Sequence, residues 1–261
     1  MLQSLDNTEA ARAGCVKLFL LLQRCQSEPH ALLGGSVAQY VQLQSCPNQI
    51  SLSAARNILL KSALSEPRSW PQTVVAFPDD DAWYPPGTLE TVVRAFEADT
   101  SLGFWFCRYA SQPFSANDPN LPPVRNPTLS DVVRRASSNT IFLRGNVMKD
   151  IECFDETLGV GTINGAGEDT DVAIRAFARA KRSAFLDASV VGHRDPDPAL
   201  RSRYYRGSLV ALSRHARKVK AVPMELARKI AIGLYLVGRG ELRLKDYFAA
   251  LRAAREFFAS T

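Results

Sequence analysis

The chain has 261 residues, 46% hydrophobic and 22% charged, ordinary for a globular protein of one large or two small domains with a substantial core. Its five cysteines, Cys15, Cys25, Cys46, Cys107 and Cys153, are odd in number and show no CxxC spacing, which argues against a disulfide framework or a zinc site and fits a reducing cytoplasm. The formal charge of +6 divides unevenly: residues 199–261 hold 14 Lys/Arg and 4 Asp/Glu, a net of +10, against 18 and 22, a net of −4, in residues 1–198.

Asp6 and Glu9 interrupt the N-terminus where a signal peptide needs its apolar core, and no run approaches the ~18 apolar residues of a membrane span. Val16 to Leu22, broken only by Lys17, predicts a buried strand, and Gln39 to Leu43 a weaker one. Ser53 to Leu64 has helical spacing, with Ala54, Ile58, Leu59 and Ala63 on one side and Ser51 or Ser53 as cap. Thr73 to Phe77 predicts a strand running into Pro78-Asp79-Asp80-Asp81-Ala82-Trp83-Tyr84-Pro85-Pro86. Leu89 to Ala98 predicts a helix with Leu89, Val92, Val93 and Phe96 in the core, and Leu102 to Tyr109 a strand.

Residues 111–128, rich in Pro, Ser and Asn, predict a loop or lid. A short strand over Thr140 to Leu143 follows, then a loop with four glycines between Gly159 and Gly167 that lets backbone approach a ligand. A helix runs from near Asp169 to about Ala180, and the last strand spans Ala184 to Val191. The remainder reads as helical, with a pause around Val219 to Pro223. Short apolar runs alternating with amphipathic stretches predict an α/β fold.

Four segments could carry chemistry. Three adjacent carboxylates at a strand's end, Asp79-Asp80-Asp81, repel one another unless solvent or a cation screens them. Mg²⁺ or Mn²⁺ takes such oxygens together with substrate phosphates, so this turn predicts a metal–diphosphate site; a solvated acidic turn is the alternative. Glu168, Asp169 and Asp171, with Arg175 one turn on, either cap a helix and offset its dipole or face a cleft by way of the glycine-rich approach. His193-Arg194-Asp195-Pro196-Asp197-Pro198 places an imidazole in a polar loop where it could complete an acidic cation site. Arg56 sits on the helix before the acidic strand; taken alone it is a solvent-facing helical arginine.

Together these segments resemble the family 2 glycosyltransferases of bacterial polysaccharide synthesis. The resemblance rests on Leu52-Ser53-Ala54-Ala55-Arg56-Asn57, Val75 to Tyr84, Cys153-Phe154-Asp155-Glu156, Gly165 to Asp171, Arg175 and His193, in order across about residues 50–215. It implies the GT-A fold, a Rossmann-like mixed sheet flanked by helices, over residues 1–198, followed by a basic helical tail over 199–261. By position, Asp79 and Asp81 resemble the DXD motif that holds a divalent metal, Mg²⁺ or Mn²⁺, and the ribose of a nucleotide-diphospho-sugar, with Asp80 between them in the donor site. His193 is similar to a further metal or diphosphate contact, Arg56 to a residue near the base, and Asp169 to the catalytic base with Glu168 beside it. Asp171 and Arg175 resemble supporting residues at the helix start.

The resemblance also implies an apolar first strand that Met1-Leu2-Gln3-Ser4-Leu5 does not contain. Leu22 stands where an acid is usual, and Cys153 where a glycine is usual.

The implied activity is metal-dependent, inverting transfer of a sugar from a nucleotide sugar to a saccharide or lipid-linked acceptor in surface polysaccharide synthesis. A catalytically impaired relative acting as scaffold or sugar-binding subunit is the alternative, and a metal-dependent phosphohydrolase a third reading. The tail helix Leu244, Tyr247, Phe248, Leu251, Ala254, Phe258, interspersed with Arg243, Lys245, Arg252 and Arg255, suits packing on the domain, subunit pairing or an anionic membrane surface. A nucleic-acid partner is not expected, since no reading motif or aromatic stacking platform accompanies the charge. The expected location is cytoplasmic, or peripheral at the inner membrane.

Overall fold

The computed structural model describes residues 1–25, 39–66, 70–195, 197 and 200–259, apart from the side chains of 201 and 257–259. Pro196, Pro198 and the Phe258 side chain, named above, lie outside the described residues. Two short helices, α1 (Leu2–Asp6) and α2 (Glu9–Arg12), precede strands β1 (Leu18–Gln23) and β2 (Val41–Cys46). Then come α3 (Leu52–Leu64), β3 (Val74–Ala76), α4 (Thr88–Ala98) and β4 (Leu102–Ala110). They are followed by α5 (Leu129–Arg135), β5 (Ile141–Arg144), α6 (Gly145–Ile151), α7 (Glu168–Arg179) and β6 (Arg182–Gly192). Three helices close the described chain: α8 (Arg201–His215), α9 (Val222–Gly238) and α10 (Leu244–Ala259).

The described strands form two sheets. β1 pairs in parallel with β2; the other sheet has the order β3-β5-β4-β6, with β5 antiparallel to both neighbours and β4 parallel to β6. Side-chain alternation along β4 builds two core layers. Phe104 and Phe106 join Leu143, Met148, Phe154 and Val172 on the face covered by α3, α6 and α7. Trp105 and Cys107 join Phe142, Leu186, Val92 and Phe96 on the face covered by α4, with Leu5 of α1. Phe106 stacks on Phe185 at 4.4 Å between ring centres, and Trp105 meets Phe142 edge-on at 5.6 Å.

The predicted elements stand in the expected order, with shifts of one to three residues. Two helix faces differ. α3 buries Ser53, Ala55, Arg56 and Leu60 and leaves Ile58 exposed. Alanines on several sides give that helix little contrast, and partners distant in sequence decide which side turns inward. In α4, Thr88, Val92 and Phe96 face the core while Val93 is exposed.

Residues 111–128 contain no helix or strand and lie along β6 through Phe114 N–H to Ser189 O (2.8 Å) and the paired contacts of Arg125 with Phe185. The expected pause at 219–223 is a turn that ends where Pro223 opens α9. A second break separates α9 from α10 at Arg239–Arg243, signalled in the sequence by Gly238 and Gly240. Tyr205, Leu209, Leu236, Tyr247 and Ala250 form the core of the three-helix tail.

Candidate active site

β3 ends on the acidic turn, which puts the carboxylates at the sheet's edge. Asn139, in the turn before β5, clamps Asp79: its Oδ1 accepts the Asp79 backbone N–H at 2.6 Å and its Nδ2 donates to Asp79 Oδ2 at 2.9 Å. The backbone of Trp83, just beyond the acids, exchanges two hydrogen bonds with Gly192 at the end of β6, of 2.9 and 2.8 Å. This bridge aligns the acidic turn with the next residue, His193, whose own N–H donates to Ala110 O. Gly192 is required here, because a β-carbon would lie 2.0 Å from the Trp83 indole.

The His193 ring reaches back over the turn. Nε2 lies 3.1 Å from Asp81 Oδ1 and 3.8 Å from Asp79 Oδ2, and the ligand atoms of Asp79, Asp81 and His193 all lie within 4.8 Å of one another. His193 Nδ1 lies 2.9 Å from the carbonyl of Arg194, which can only accept, so Nδ1 carries the proton and Nε2 the lone pair in the neutral ring. Nε2 is buried and has no well-aligned hydrogen-bond partner among the described residues. A lone pair aimed at two carboxylates, its other nitrogen fixed by a carbonyl, is the donor set a divalent cation requires. The residues present therefore fit Mg²⁺ or Mn²⁺. Asp80 is exposed beside them and, with Asp79 and Asp81, lines a cavity of about 920 Å³. Arg194 Nε stands 3.3 Å from Asp81 Oδ2.

Arg56 is buried rather than solvent-facing. Its Nη2 donates to Asp79 Oδ1 at 2.9 Å and its Nη1 to Asp169 Oδ1 at 3.2 Å, with Glu168 Oε1 4.0 Å from Nη1 and the guanidinium 5.3 Å above the Phe154 ring. One guanidinium thus ties the acidic turn, 23 residues on from Arg56, to the start of α7, 113 residues on.

Glu168 and Asp169 stand in different surroundings. Burial pushes the Glu168 carboxyl well above its usual range and the charge of Asp169 adds to that; Arg56 opposes it. The Asp169 side chain keeps 28% exposure against 8% for Glu168. Burial also raises Asp79, with Arg56 the main opposing influence and the nearby Asp169 charge adding to the rise.

Asp171 and Arg175 turn away from the cleft. Asp171 accepts from Arg175 Nε at 2.9 Å and Nη2 at 2.6 Å, and pairs with His215 Nε2 of α8 at 2.7 Å. The glycine loop is pressed between two helices: Leu52 N–H at the start of α3 donates to Val160 O, and Gly167, at φ 98°, passes so close to α8 that a β-carbon would lie 2.3 Å from Gly207 O.

The sequence reading thus named Asp79, Asp81, His193, Arg56, Glu168 and Asp169, and the structure brings them together. It places Asp171 and Arg175 in a separate cluster behind α7. Asn139 and the Trp83–Gly192 bridge were not singled out, and Arg194 was named only as His193's neighbour. A polar Ser-Ser-Asn-Thr turn carries no periodic signal for Asn139, whereas Arg194 adjoins a residue that was named.

Residues 41–153 match the family model for glycosyl transferase family 2. No curated protein sequence matches the chain. Among solved structures, a mannosyltransferase from Pyrobaculum calidifontis in complex with GDP-Man and Mn²⁺ is similar at 15% identity and TM-score 0.56, covering 97% of this chain and 70% of that one. S. aureus TarS 1-349 is similar at 14% identity and TM-score 0.54, covering 87% of this chain and 65% of that one. A longer TarS structure gives 15% identity and TM-score 0.52, and this chain spans 37% of its length. The chain has the GT-A fold of these structures, and its residues 41–153 are similar to the family 2 glycosyltransferases.

Proposed function

We propose that the chain transfers a sugar from a nucleotide-diphospho-sugar to an acceptor hydroxyl, with inversion, and depends on Mg²⁺ or Mn²⁺. The observation that carries this reading is the convergence of Asp79, Asp81 and His193 on one point, with Asp169 tied to that point through Arg56. Asp79, Asp81 and His193 would hold the metal. When bound, it supplies Lewis-acid stabilisation of charge building on the diphosphate leaving group. Asp80 and Arg194, beside the turn, face the donor. Arg56 sits between the two acidic groups and orients both Asp79 and Asp169.

Of the two candidate bases, Asp169 is the better placed. A general base has to be reached by the acceptor hydroxyl and has to carry charge; burial withholds Glu168 on both counts, while Asp169 remains accessible. Glu168, kept protonated, fills the space behind Arg56. One base opposite one leaving group makes a single displacement, hence inversion.

The test is a donor panel of UDP- and GDP-sugars with and without Mn²⁺. We expect Asp81→Ala to abolish metal-dependent donor binding. Asp169→Asn is expected to keep binding and lose roughly 10²- to 10⁴-fold in turnover. Full transfer by Asp169→Asn would remove the base assignment.

A catalytically silent scaffold is the second reading, supported by the end of β1. There Leu22 replaces an acid and the Gln23 side-chain carbonyl already accepts the Ile50 N–H at 2.8 Å. Binding of a sugar nucleotide without turnover would favour it.

For the acceptor, a saccharide or lipid-linked sugar at the cytoplasmic face of a membrane is supported by the tail. α9 leaves Met224, Leu234 and Tyr235 exposed, α10 leaves Leu244 and Phe248, and Arg243, Lys245 and Arg252 are exposed around them. Among the described residues, no helix is long and apolar enough to cross a membrane.

A further inference from the structure

β4 ends at Tyr109 and Ala110, and this end is fastened to the loop that follows β6. Ala110 O accepts the His193 N–H at 3.1 Å. Ser111 holds Asp195 with two bonds, its N–H donating to Oδ1 at 3.0 Å and its Oγ to Oδ2 at 2.7 Å. Beside these ties the Tyr109 and His193 rings meet edge-on, 5.1 Å between centres and 77° between planes. Tyr109 thus adjoins the donor set of Asp79, Asp81 and His193 without belonging to it.

Tyrosines that serve the fold spend their hydroxyls inside it. Tyr205 O–H donates to Lys229 O at 3.2 Å, and Tyr40 O–H goes to Asp6. The Tyr109 hydroxyl has no hydrogen-bond partner among the described residues, and its side chain is only partly buried, so it is not sealed in the core as the Tyr84 hydroxyl is. Burial raises the Tyr109 phenol above its ordinary range, and the charges of Asp169, Asp79 and Asp195 add to the rise, with Tyr204 after them. Four elements therefore look onto this one group: the start of α7, the acidic turn, the loop after β6 and the first turn of α8. Tyr204 comes there because α8 presses on the glycine loop that leads into Asp169; a β-carbon on Gly165 would lie 3.4 Å from Arg203 O. The Tyr204 side chain is exposed.

We propose, resting on the transfer reading, that Tyr109 and Tyr204 bind the acceptor, and that the unit they take is a pyranose ring whose attacked hydroxyl points at Asp169. Asp79, Asp81, His193 and Arg56 are charged or metal-binding and suit the diphosphate end of the donor. Two neutral phenols suit a neutral ligand that is polar at its rim and apolar on its faces. A pyranose has that build: its C–H faces pack on aromatic rings, and its hydroxyls pair with a phenol O–H. An acyclic polyol has no such face. An acyl chain offers nothing to the phenol hydroxyls, and covering them without a partner costs affinity. Tyr109, holding a hydroxyl next to the attacked one, fixes the register in which the acceptor meets the base.

The experiment is saturation-transfer NMR on the whole chain with Mg²⁺ and GDP or UDP. The probes are the methyl pyranosides of glucose, galactose, mannose and N-acetylglucosamine, with sorbitol as the acyclic control. We expect at least one pyranoside to take up saturation through its ring C–H protons, and sorbitol to take up none. Tyr109→Phe, which keeps the ring and its packing, is expected to weaken that pyranoside about 3- to 10-fold, and Tyr204→Ala about as much. Mn²⁺ affinity by calorimetry is expected to stay at the wild-type value in both variants. No saturation of any pyranoside, equal saturation of sorbitol, or wild-type pyranoside affinity in either variant would overturn the proposal. So would a loss in Tyr109→Phe matched by an equal loss of Mn²⁺ affinity, which would make Tyr109 a prop for His193. A chain that holds a pyranoside through these tyrosines yet binds no Mn²⁺ would sink the metal-dependent transfer reading and leave the acceptor site standing. One that binds Mn²⁺ and a nucleotide sugar but none of the pyranosides would sink the acceptor site alone.

Discussion

Replacing Asp171 with asparagine tests the separation between the cleft and the cluster behind it. The Asp171 carboxylate is buried and meets three donors, two from Arg175 and one from His215. An asparagine of the same shape keeps one acceptor oxygen and turns an NH₂ toward groups that are themselves donors, so about two charge-assisted bonds are lost. At about 1.5–3 kcal/mol each, the cost is about 3–6 kcal/mol. The independent expectation for breaking a buried ion pair by removing one partner is about 3–5 kcal/mol. In a chain of this size each kcal/mol lowers Tm by roughly 2–4 °C, so thermal unfolding followed by circular dichroism is expected to fall by roughly 10 °C.

The pH dependence sharpens this expectation. Burial alone would raise the Asp171 pKa, but the hydrogen bond from His215 and the charge of Arg175 outweigh it and hold the carboxyl below its ordinary value of 3.8. A carboxyl depressed on folding contributes stability above its unfolded-state pKa and loses it as pH falls through the folded value. The gap between wild type and Asp171→Asn is therefore full near about pH 7 and closes below about pH 4. A Tm within about 3 °C of wild type at neutral pH, or a gap that persists undiminished at about pH 3, would refute the account of this cluster.

Two further substitutions probe the cleft. Arg56→Lys keeps a charge, but one ammonium cannot span Asp79 and Asp169; losing one such bond predicts roughly 10- to 100-fold lower turnover with Mn²⁺ binding retained, and wild-type turnover would mean that the bridge is idle. Gly192→Ala drives a β-carbon into the Trp83 indole, breaks the pairing that aligns the acidic turn with His193, and is expected to weaken Mn²⁺ binding about 10-fold or more by calorimetry; unchanged affinity would exclude the bridge as the aligning element.

The sequence carried the order of elements because each hydrophobic run has its own period, and it carried Asp79, Asp81 and Asp169 because acids at strand ends and helix starts stand out locally. The pieces it concealed all depend on partners far along the chain. Arg56 looks like a surface residue until three carboxylates from 79, 168 and 169 close on it. His215 is a helical histidine until Asp171, 44 residues earlier, meets it. Arg144 gave no signal, yet it is buried and donates to the carbonyls of Pro71, Phe96, Asp99 and Leu102, pinning the start of β4 against the end of α4. The split of the strands into two sheets was equally hidden, since strand pairing is not encoded in the period of any one strand.

The unequal charge of the two halves takes on a different meaning once these contacts are known. A net of +10 in residues 199–261 invites an external anionic partner, but some of its arginines are engaged within the fold. Arg206 donates to Asn164 of the glycine loop, Arg214 pairs with Asp155 and Thr157, and Arg228 and Arg134 share Glu225. The first tail helix also supplies the surface against which Gly165 and Gly167 pass, and those glycines set where Glu168 and Asp169 begin α7. Arg206 and Arg214 of α8 therefore fasten the segment from Asp155 to Asn164 that leads into Glu168 and Asp169. Charge segregation along the sequence is in this part of the chain a folding device. What remains for an outside partner includes the exposed Arg203, Lys218 and Lys220 as well as Arg243, Lys245 and Arg252 of the last turn and helix.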